Sequence, residues 1–467
     1  MNVISIMMKF LKFCTWVGVL WVCYEGVAAQ TPQKLTLRNA IQTALSNSVA
    51  LHKAENAVAI QRVAEAQALD VFLPSAQASA SLNPGYGRSF DQTTINFSFS
   101  PSLSSGVSVS GGMLLWQGGY WNRLLFGGNA QAPAYLQAKR QTDASELTVQ
   151  RARENIIFAV ASGYLDVIRN QEQIRVVEEN LAAQKQQLVR IQQFVRGGVR
   201  AESDALQQQA LVAQAELQLL NQQLAYERAK TRLIQTLEVD PFVVYDFEIP
   251  DLGTASLLKE NYNVELMIRT ALQNRMDIQA QKATIEANQM NMDLIRANRM
   301  PTLNLGGSVS TQYSSRANDN IFRQLLDNRN FGVGFTLSWT IYDRNQIRRS
   351  LEMARYQAEN AVLDLRNLEQ SVASEVRQAH LDYLNADKQL QVAAVQVNFR
   401  KQALEVEQNR YNLGASTLTE LTQARAGLVE AQSQQIQAKY GLVFQKQVLE
   451  YYIGRIKPEM SLIPNSK

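Results

Sequence analysis

The chain is poor in the groups that most protein chemistry needs. Among 467 residues there are two cysteines, Cys14 and Cys23, and two histidines, His52 and His380. Both cysteines fall in the first thirty residues, so the rest has no thiol for a disulfide, a zinc cluster or a nucleophile. Each histidine lies in a helical pattern without a Cys or paired acid at ligand spacing, and no metal site is expected. No Gly-x-Ser-x-Gly, phosphate-binding glycine loop or dinucleotide fingerprint occurs, so neither a cofactor nor an enzymatic activity is expected. Paired carboxylates such as Glu178-Glu179 sit mid-helix among Gln and Asn, where a hydrated face accounts for them. Charge of one sign is lacking too: 46 Lys and Arg mix with 42 Asp and Glu, which leaves no basic stripe for nucleic acid. After residue 30 there is no run of eighteen apolar residues, hence no membrane-spanning helix. Proline is absent between Pro133 and Pro241 and again between Pro301 and Pro458.

The first 29 residues read as a secretory signal peptide. Lys9 and Lys12 precede an apolar run at 13–24, and Val27-Ala28-Ala29 supplies small residues for cleavage. A lipoprotein signal at Cys23 is the rival, but Leu20-Trp21-Val22 lacks the small residue that such a site needs. The chain after this leader is duplicated. At an offset of 227, AIQTALSN (40–47) lies on MIRTALQN (267–274) and Pro74 on Pro301. At an offset of 216, the seven-residue series Val160, Val167, Ile174, Leu181, Leu188, Val195 lies on Val376, Tyr383, Leu390, Val397, Leu404, Tyr411, and Gly198 on Gly414. The division is a first repeat at 30–238, a linker at 239–263, a second repeat at 264–454 and a tail at 455–467.

Each repeat reads helix, β-hairpin, long helix, helix. The first helices are expected over about 36–73 and 263–300, each unbroken until its proline. Alternating segments come next, with return strands expected over 103–116 and 331–342. In the latter, Phe331, Val333, Phe335, Leu337, Trp339 and Ile341 alternate with Gly, Thr, Ser and Tyr, the signature of a strand with one apolar face. The proline-free run from about 134 to 195 predicts a helix of roughly 90 Å, and its seven-residue period predicts supercoiled packing. Gly198 and Gly414 sit where each helix pair must turn back, which suits positive φ. The segment GGNAQAP (127–133) predicts a break with no counterpart in the second repeat.

Two hairpins supply four strands. Lipid-facing strands must close into a barrel, and known membrane barrels begin at eight, so four strands per chain require several copies. A water-exposed ribbon is the alternative, but it would leave six apolar residues on one uncovered face. The Gln-rich helices suit a water-filled tunnel and equally an exported coiled-coil structural or adaptor protein with no pore. Outer-membrane fractionation separates the two.

The chain resembles the TolC family of outer-membrane efflux proteins from about Leu35 to Gly454. The resemblance rests on the tandem repeat, Leu73-Pro74 and Met300-Pro301, WQGG (116–119), and the tip motifs GVRAESD (198–204) and RYNLGASTLTEL (410–421). It implies a mainly α fold with β. In this fold, long helical hairpins form a periplasmic α-barrel, and two β-hairpins per chain build a twelve-stranded outer-membrane barrel in a homotrimer. It also implies a passive duct in the outer membrane of a diderm bacterium, seated in lipid and loaded by an inner-membrane pump and a periplasmic adaptor. The cargo would be small molecules or, alternatively, a secreted protein. The implied gate is an iris of helix tips. The family's gate Tyr falls on Tyr411, one acid on Glu420, and the first-repeat acid on Asp204, preceded by Ser203. A second acid falls on Gln423 and an Arg on Ser416, both departures.

Overall fold

The structure, a computed structural model, describes residues 33–91, 96–117, 120–121, 132–248, 262–315, 317 and 319–456. The leader, the glycines of WQGG, most of GGNAQAP, residues 249–261 of the linker and most of the tail lie outside the described residues.

Each long proline-free run contains one very long helix. Helix α3 (Pro133–Arg196) has 64 residues and α8 (Gln346–Asn412) has 67, about 95–100 Å each at 1.5 Å per residue. Pro133 occupies the first turn of α3, where its missing N–H costs nothing, so the interruption expected there marks a helix start. The shorter returning partners are α4 (Glu202–Leu237) and α9 (Leu418–Ile453). In both long helices the seven-residue series keeps to the packed side, with Val160, Val167, Val376, Tyr383 and Tyr411 buried.

Each repeat's first helix is not the single rod expected. It is broken into α1 (Leu37–Asn47) and α2 (Val49–Asp70) in the first repeat, and into α5 (Val264–Asn274) and α6 (Met276–Ala297) in the second. The breaks fall at Ser48 and Arg275, which are 227 positions apart and so equivalent. At Ser48 the hydroxyl accepts from Leu51 N, and Glu238 Oε2 accepts from Val49 N at 2.8 Å. Arg275 is extended (φ −65°, ψ 128°), and its guanidinium binds Asp277 at 2.6 Å and Glu375 at 2.6 Å. Tertiary partners therefore hold both breaks open. Positions 238 and 454 are also equivalent, at the offset of 216, and both are left-handed: Glu238 at φ 51° and Gly454 at φ 74°. A Cβ on Gly454 would lie 3.3 Å from Arg275 N, so the glycine lets the chain rest on the second break.

The linker holds a strand that was not expected. Strand β5 (Tyr245–Phe247) pairs in parallel with β1 (Gln33–Leu35), and Tyr164 of α3 ties them by donating to Glu248 O at 2.7 Å. Burial pushes the Tyr164 phenol well up from its ordinary pKa.

The hairpins form one antiparallel sheet in the order β2 (Ser75–Asp91), β3 (Asn96–Gln117), β6 (Thr302–Ser314), β7 (Asn330–Ser338). A short β4 (Tyr120–Trp121) folds back on β3. The return strand expected over 331–342 ends at Ser338. Trp339 leaves the ladder, and its indole donates to Arg299 O at 3.1 Å. Directly opposed residues share a face, and the register sorts them cleanly. Val109, Val309 and Phe331 lie on one side with Met113, Leu305 and Phe335. Ser79, Ser108 and Ser308 lie on the other. From Leu303 to Tyr313 the apolar face runs about 33 Å along the strand, or roughly 25 Å in height at the tilt of a membrane barrel. A seven-residue helix, α7 (Ile321–Asp327), stands in the β6–β7 loop where no structure was expected.

Packing sets the order of the helices in each half. On the tip side the row is α4, α3, α9, α8; on the sheet side it is α2, α3, α6, α8. Among the described residues, none of these helices is long and apolar enough to cross a membrane.

Candidate gate at the helix tips

Two turns close the tip end. Both are Schellman turns with glycine in the left-handed position, Gly198 at φ 72° and Gly414 at φ 77°. Val199 N donates to Phe194 O and Gly198 N to Val195 O; Ala415 N donates to Arg410 O and Gly414 N to Tyr411 O. Gly198 and Gly414 thus do what their spacing suggested.

Tyr411 is the centre of the tip. It is 1% exposed and packs with Ile191, Ala205, Leu418 and Leu421, joining the two hairpins of one chain. Its Oη is buried without a hydrogen-bond partner, and burial raises its pKa. Arg200, from the first turn, spans the gap between the turns. Its Nη2 donates to Tyr411 O at 2.9 Å, and its guanidinium carbon lies 4.4 Å from the centroid of the Tyr411 ring. A charge-assisted hydrogen bond and a cation–π contact therefore act on one residue.

Glu420 sits at the third position of α9 and closes a capping box. Thr417 Oγ1 accepts from Glu420 N, and Glu420 Oε2 accepts from Thr417 N at 2.9 Å. Those bonds, the Thr417 amide first and the Ser416 hydroxyl next, hold its carboxyl below the usual range. Ser416 Oγ lies within bonding reach of Glu420 and also of Glu407. One hydroxyl proton serves only one of them at a time, and Arg410 steadies Glu407 from the other side at 3.0 Å. Asp204, half-buried, and exposed Ser203 stand in the first turn of α4, whose N-cap Ala201 offers no side-chain oxygen. The structure brings Tyr411, Arg200 and the tip core together. It places Glu420 with Ser416 on the second turn, and Asp204 and Ser203 on the first.

Arg200 was missed as a site residue, although its signal was available: 416 minus 216 is 200, so Arg200 is the repeat equivalent of Ser416. A second omission is Arg425 of α9. It donates to Ala183 O at 3.3 Å and Gln408 Oε1 at 3.2 Å, bridging α3 and α8. Burial, then the charge of Arg190, lowers its pKa.

The chain is similar in sequence and fold to known outer-membrane proteins. Residues 267–455 match the family model described as outer membrane efflux protein. The pyoverdine export outer membrane protein OpmQ of Pseudomonas putida is 26% identical over 300 residues, covering 64% of this chain and 61% of that protein. The alignment thus spans about three fifths of that relative's length. The outer membrane protein TolC of Vibrio cholerae is 24% identical over 328 residues, covering 68% of this chain and 72% of that one. In fold, the outer membrane protein VceC of Vibrio cholerae superposes with a TM-score of 0.73 at 18% identity, covering 90% of this chain and 96% of that one.

Proposed function

We propose that the chain is an outer-membrane efflux protein of the TolC family and that three copies form a passive, tip-gated exit duct for small molecules. The duct crosses the outer membrane and the periplasm. An inner-membrane pump and a periplasmic adaptor load it, since the chain has no nucleotide motif to supply energy.

One observation carries the reading: every open edge of the protomer is prepared for a neighbour. Among the described residues, strands β2 and β7 each have one unpaired edge, and four strands are too few to close. The edge helices match them. On α4, Leu206, Leu217, Leu220 and Leu224 are exposed; on α8, Val392, Val395, Phe399 and Val406 are exposed. On the sheet side, edge helix α2 exposes Val49, Ile60 and Val63. Among the described residues of the inner helices, α3 exposes one large apolar residue, Val189, and α6 and α9 expose none. Covering one such side chain is worth about 1.5–3 kcal/mol. Twelve strands and a ring of twelve helices result from three copies.

The tip is the gate. The Arg200–Tyr411 contact latches the two hairpins of each chain, and Glu420 contributes one carboxylate per copy to the rim, favouring cations. The polar face of the sheet, Ser, Gly, Asn, Gln and Thr throughout Ser75–Gly87, Thr302–Ser314 and Asn330–Ser338, lines a hydrated bore. A relative named for pyoverdine export supports small-molecule cargo over protein cargo.

The test is planar-bilayer conductance of purified protein alongside its oligomeric mass. Trimers with small, cation-selective steps that enlarge when Arg200 is removed support the duct. A monomer that stays silent with and without Arg200 sinks it.

A further inference from the structure

Strand β6 outruns its partner. The ladder with β7 ends at Ser310 opposite Asn330, while β6 continues to Ser314. Helix α7 covers the bare edge. Gln324, 4% exposed, takes the place of a strand residue: its Oε1 accepts from Ser314 N at 2.9 Å and its Nε2 donates to Ser314 O at 3.1 Å. Asn328 Nδ2 donates to Gln312 O at 3.1 Å. Thr311 Oγ1 donates to Leu325 O at 2.7 Å, which fixes the side on which the helix lies. Thr311 stands opposite Val107 in the ladder and so belongs to the apolar face.

So short a helix has no stability of its own, and these bonds hold it in place. It then presents Phe322, 74% exposed, and Leu326, 58% exposed, four residues apart and hence on one side of the helix. Arg323, between them in sequence, is engaged by Asp319 and Asp327. The bonded level, Thr311 to Ser314, is the outer end of the roughly 25 Å apolar band, next to Tyr313 and Phe331.

We propose that α7 is an interfacial anchor that seats Phe322 and Leu326 in the outer-leaflet lipid, at the boundary between acyl chains and headgroups. Continuity with the lipid-facing side of the sheet selects lipid as the occupant, and two apolar side chains on a helix braced by strand-like bonds give it a fixed depth. The inference rests on the barrel reading, and the test separates the two.

Cys14 and Cys23, both in the expected leader, are changed to serine, so a cysteine introduced elsewhere is unique. Single-cysteine variants F322C, L326C, R323C and F335C, the last on the apolar face of β7, carry a nitroxide label in trimers reconstituted into phosphatidylcholine vesicles. Spin relaxation by oxygen and by a water-soluble nickel chelate reports the surroundings. At positions 322 and 326 oxygen is expected to exceed the chelate severalfold, as at 335, with the reverse at 323. Chelate access at 322 and 326 equal to that at 323 overturns the anchor. So does exclusion of both reagents there, which would mark contact with a neighbouring copy. A water-like signal at 335 overturns the barrel itself.

Discussion

Removing the Arg200 side chain should open the tip, and its two contacts set the size of the effect. The hydrogen bond to Tyr411 O is charge-assisted, a class worth about 1.5–3 kcal/mol, and the contact with the ring adds about 0.5–2 kcal/mol. Arg200 is half-buried, so the lower ends apply, about 2 kcal/mol for each chain. At about 1.4 kcal/mol per decade, each latch lost in Arg200→Ala changes the closed-to-open ratio of its own chain's tip roughly thirtyfold, and a trimer of the variant loses three. Single-channel recording in a planar bilayer reads this directly as open probability, with the oligomeric mass as control for assembly. Arg200→Lys should fall between, since a lysine keeps the charge but not the planar fork that both bonds and stacks.

Tyr411→Phe should act in the opposite direction. The ring and the backbone carbonyl that Arg200 uses remain, while the buried Oη without a partner disappears. Such an orphan costs about 1–3 kcal/mol in the packed state, a cost relieved when the tips part and the hydroxyl meets water. Its removal should lengthen closed times about tenfold at a relief of about 1.4 kcal/mol. Opposite signs at touching residues are hard to obtain from general destabilisation. If Arg200→Ala trimers stay as closed as the parent, or if both variants open alike, the latch is refuted.

Five further outcomes are expected. Arg275→Ala leaves Asp277 and Glu375 without their shared, 5% exposed cation and should cost about 3–5 kcal/mol in denaturant unfolding; Gly454→Ala, at φ 74° against the same residue, should cost about 1–2 kcal/mol. Burial alone would raise the Asp277 carboxyl, but Arg275 outweighs it and holds the pKa low, so this contribution is present above the ordinary carboxylate range and is lost as pH falls through the lowered value; stability measured against pH should decline there in the parent and less in Arg275→Ala. Leu217→Glu with Leu220→Glu places six charges in the ring between copies and should yield monomers by light scattering, and an intact trimer would remove α4 from the interface. Glu420→Gln keeps an acceptor for the capping box and drops the charge, so cation preference should fall with thermal unfolding little changed; unchanged selectivity would leave Glu420 as a cap alone.

Much of the fold was legible because its signals are local. Seven-residue periodicity, glycine at the turns and alternation in the strands each report on residues near in sequence, and they placed the long helices, both Schellman turns and the sheet. The misses are set from afar. No proline or glycine near Arg275 ends a helix; Asp277, two positions on, and Glu375, 100 positions on, hold the break. Ser48 did carry a capping signal after Asn47, but the lasting constraint is Glu238 on Val49. Strand β5 exists because β1 lies beside it, and α7 because β6 outruns β7. At the tip, Tyr411 and the acids stand at positions that the resemblance marked out, whereas Arg200 stands in the other repeat's motif, 216 positions before Ser416, where the resemblance implies an arginine.

That position shows how the two repeats share one task. A duplicated chain offers each tip role twice, at positions 216 apart, and only one needs to be filled. In the second repeat Ser416 is small and mates with Glu407 and Glu420, so that turn looks inward to its own hairpin. In the first, Arg200 reaches out to the second repeat's Tyr411. The helix breaks divide their work in the same way: Glu238 caps Val49 with its side chain in one copy, while in the other Gly454 has none and Arg275 brings its own partners. Exchange of the tip pair, Arg200→Ser with Ser416→Arg, should therefore not restore the latch. An arginine at 416 would follow Tyr411 on the same turn and meet Glu407 and Glu420 first, so the two hairpins would stay unlinked and the channel as open as in Arg200→Ala. A double variant as closed as the parent would show that the tips are interchangeable and that the asymmetry of the repeats carries no function.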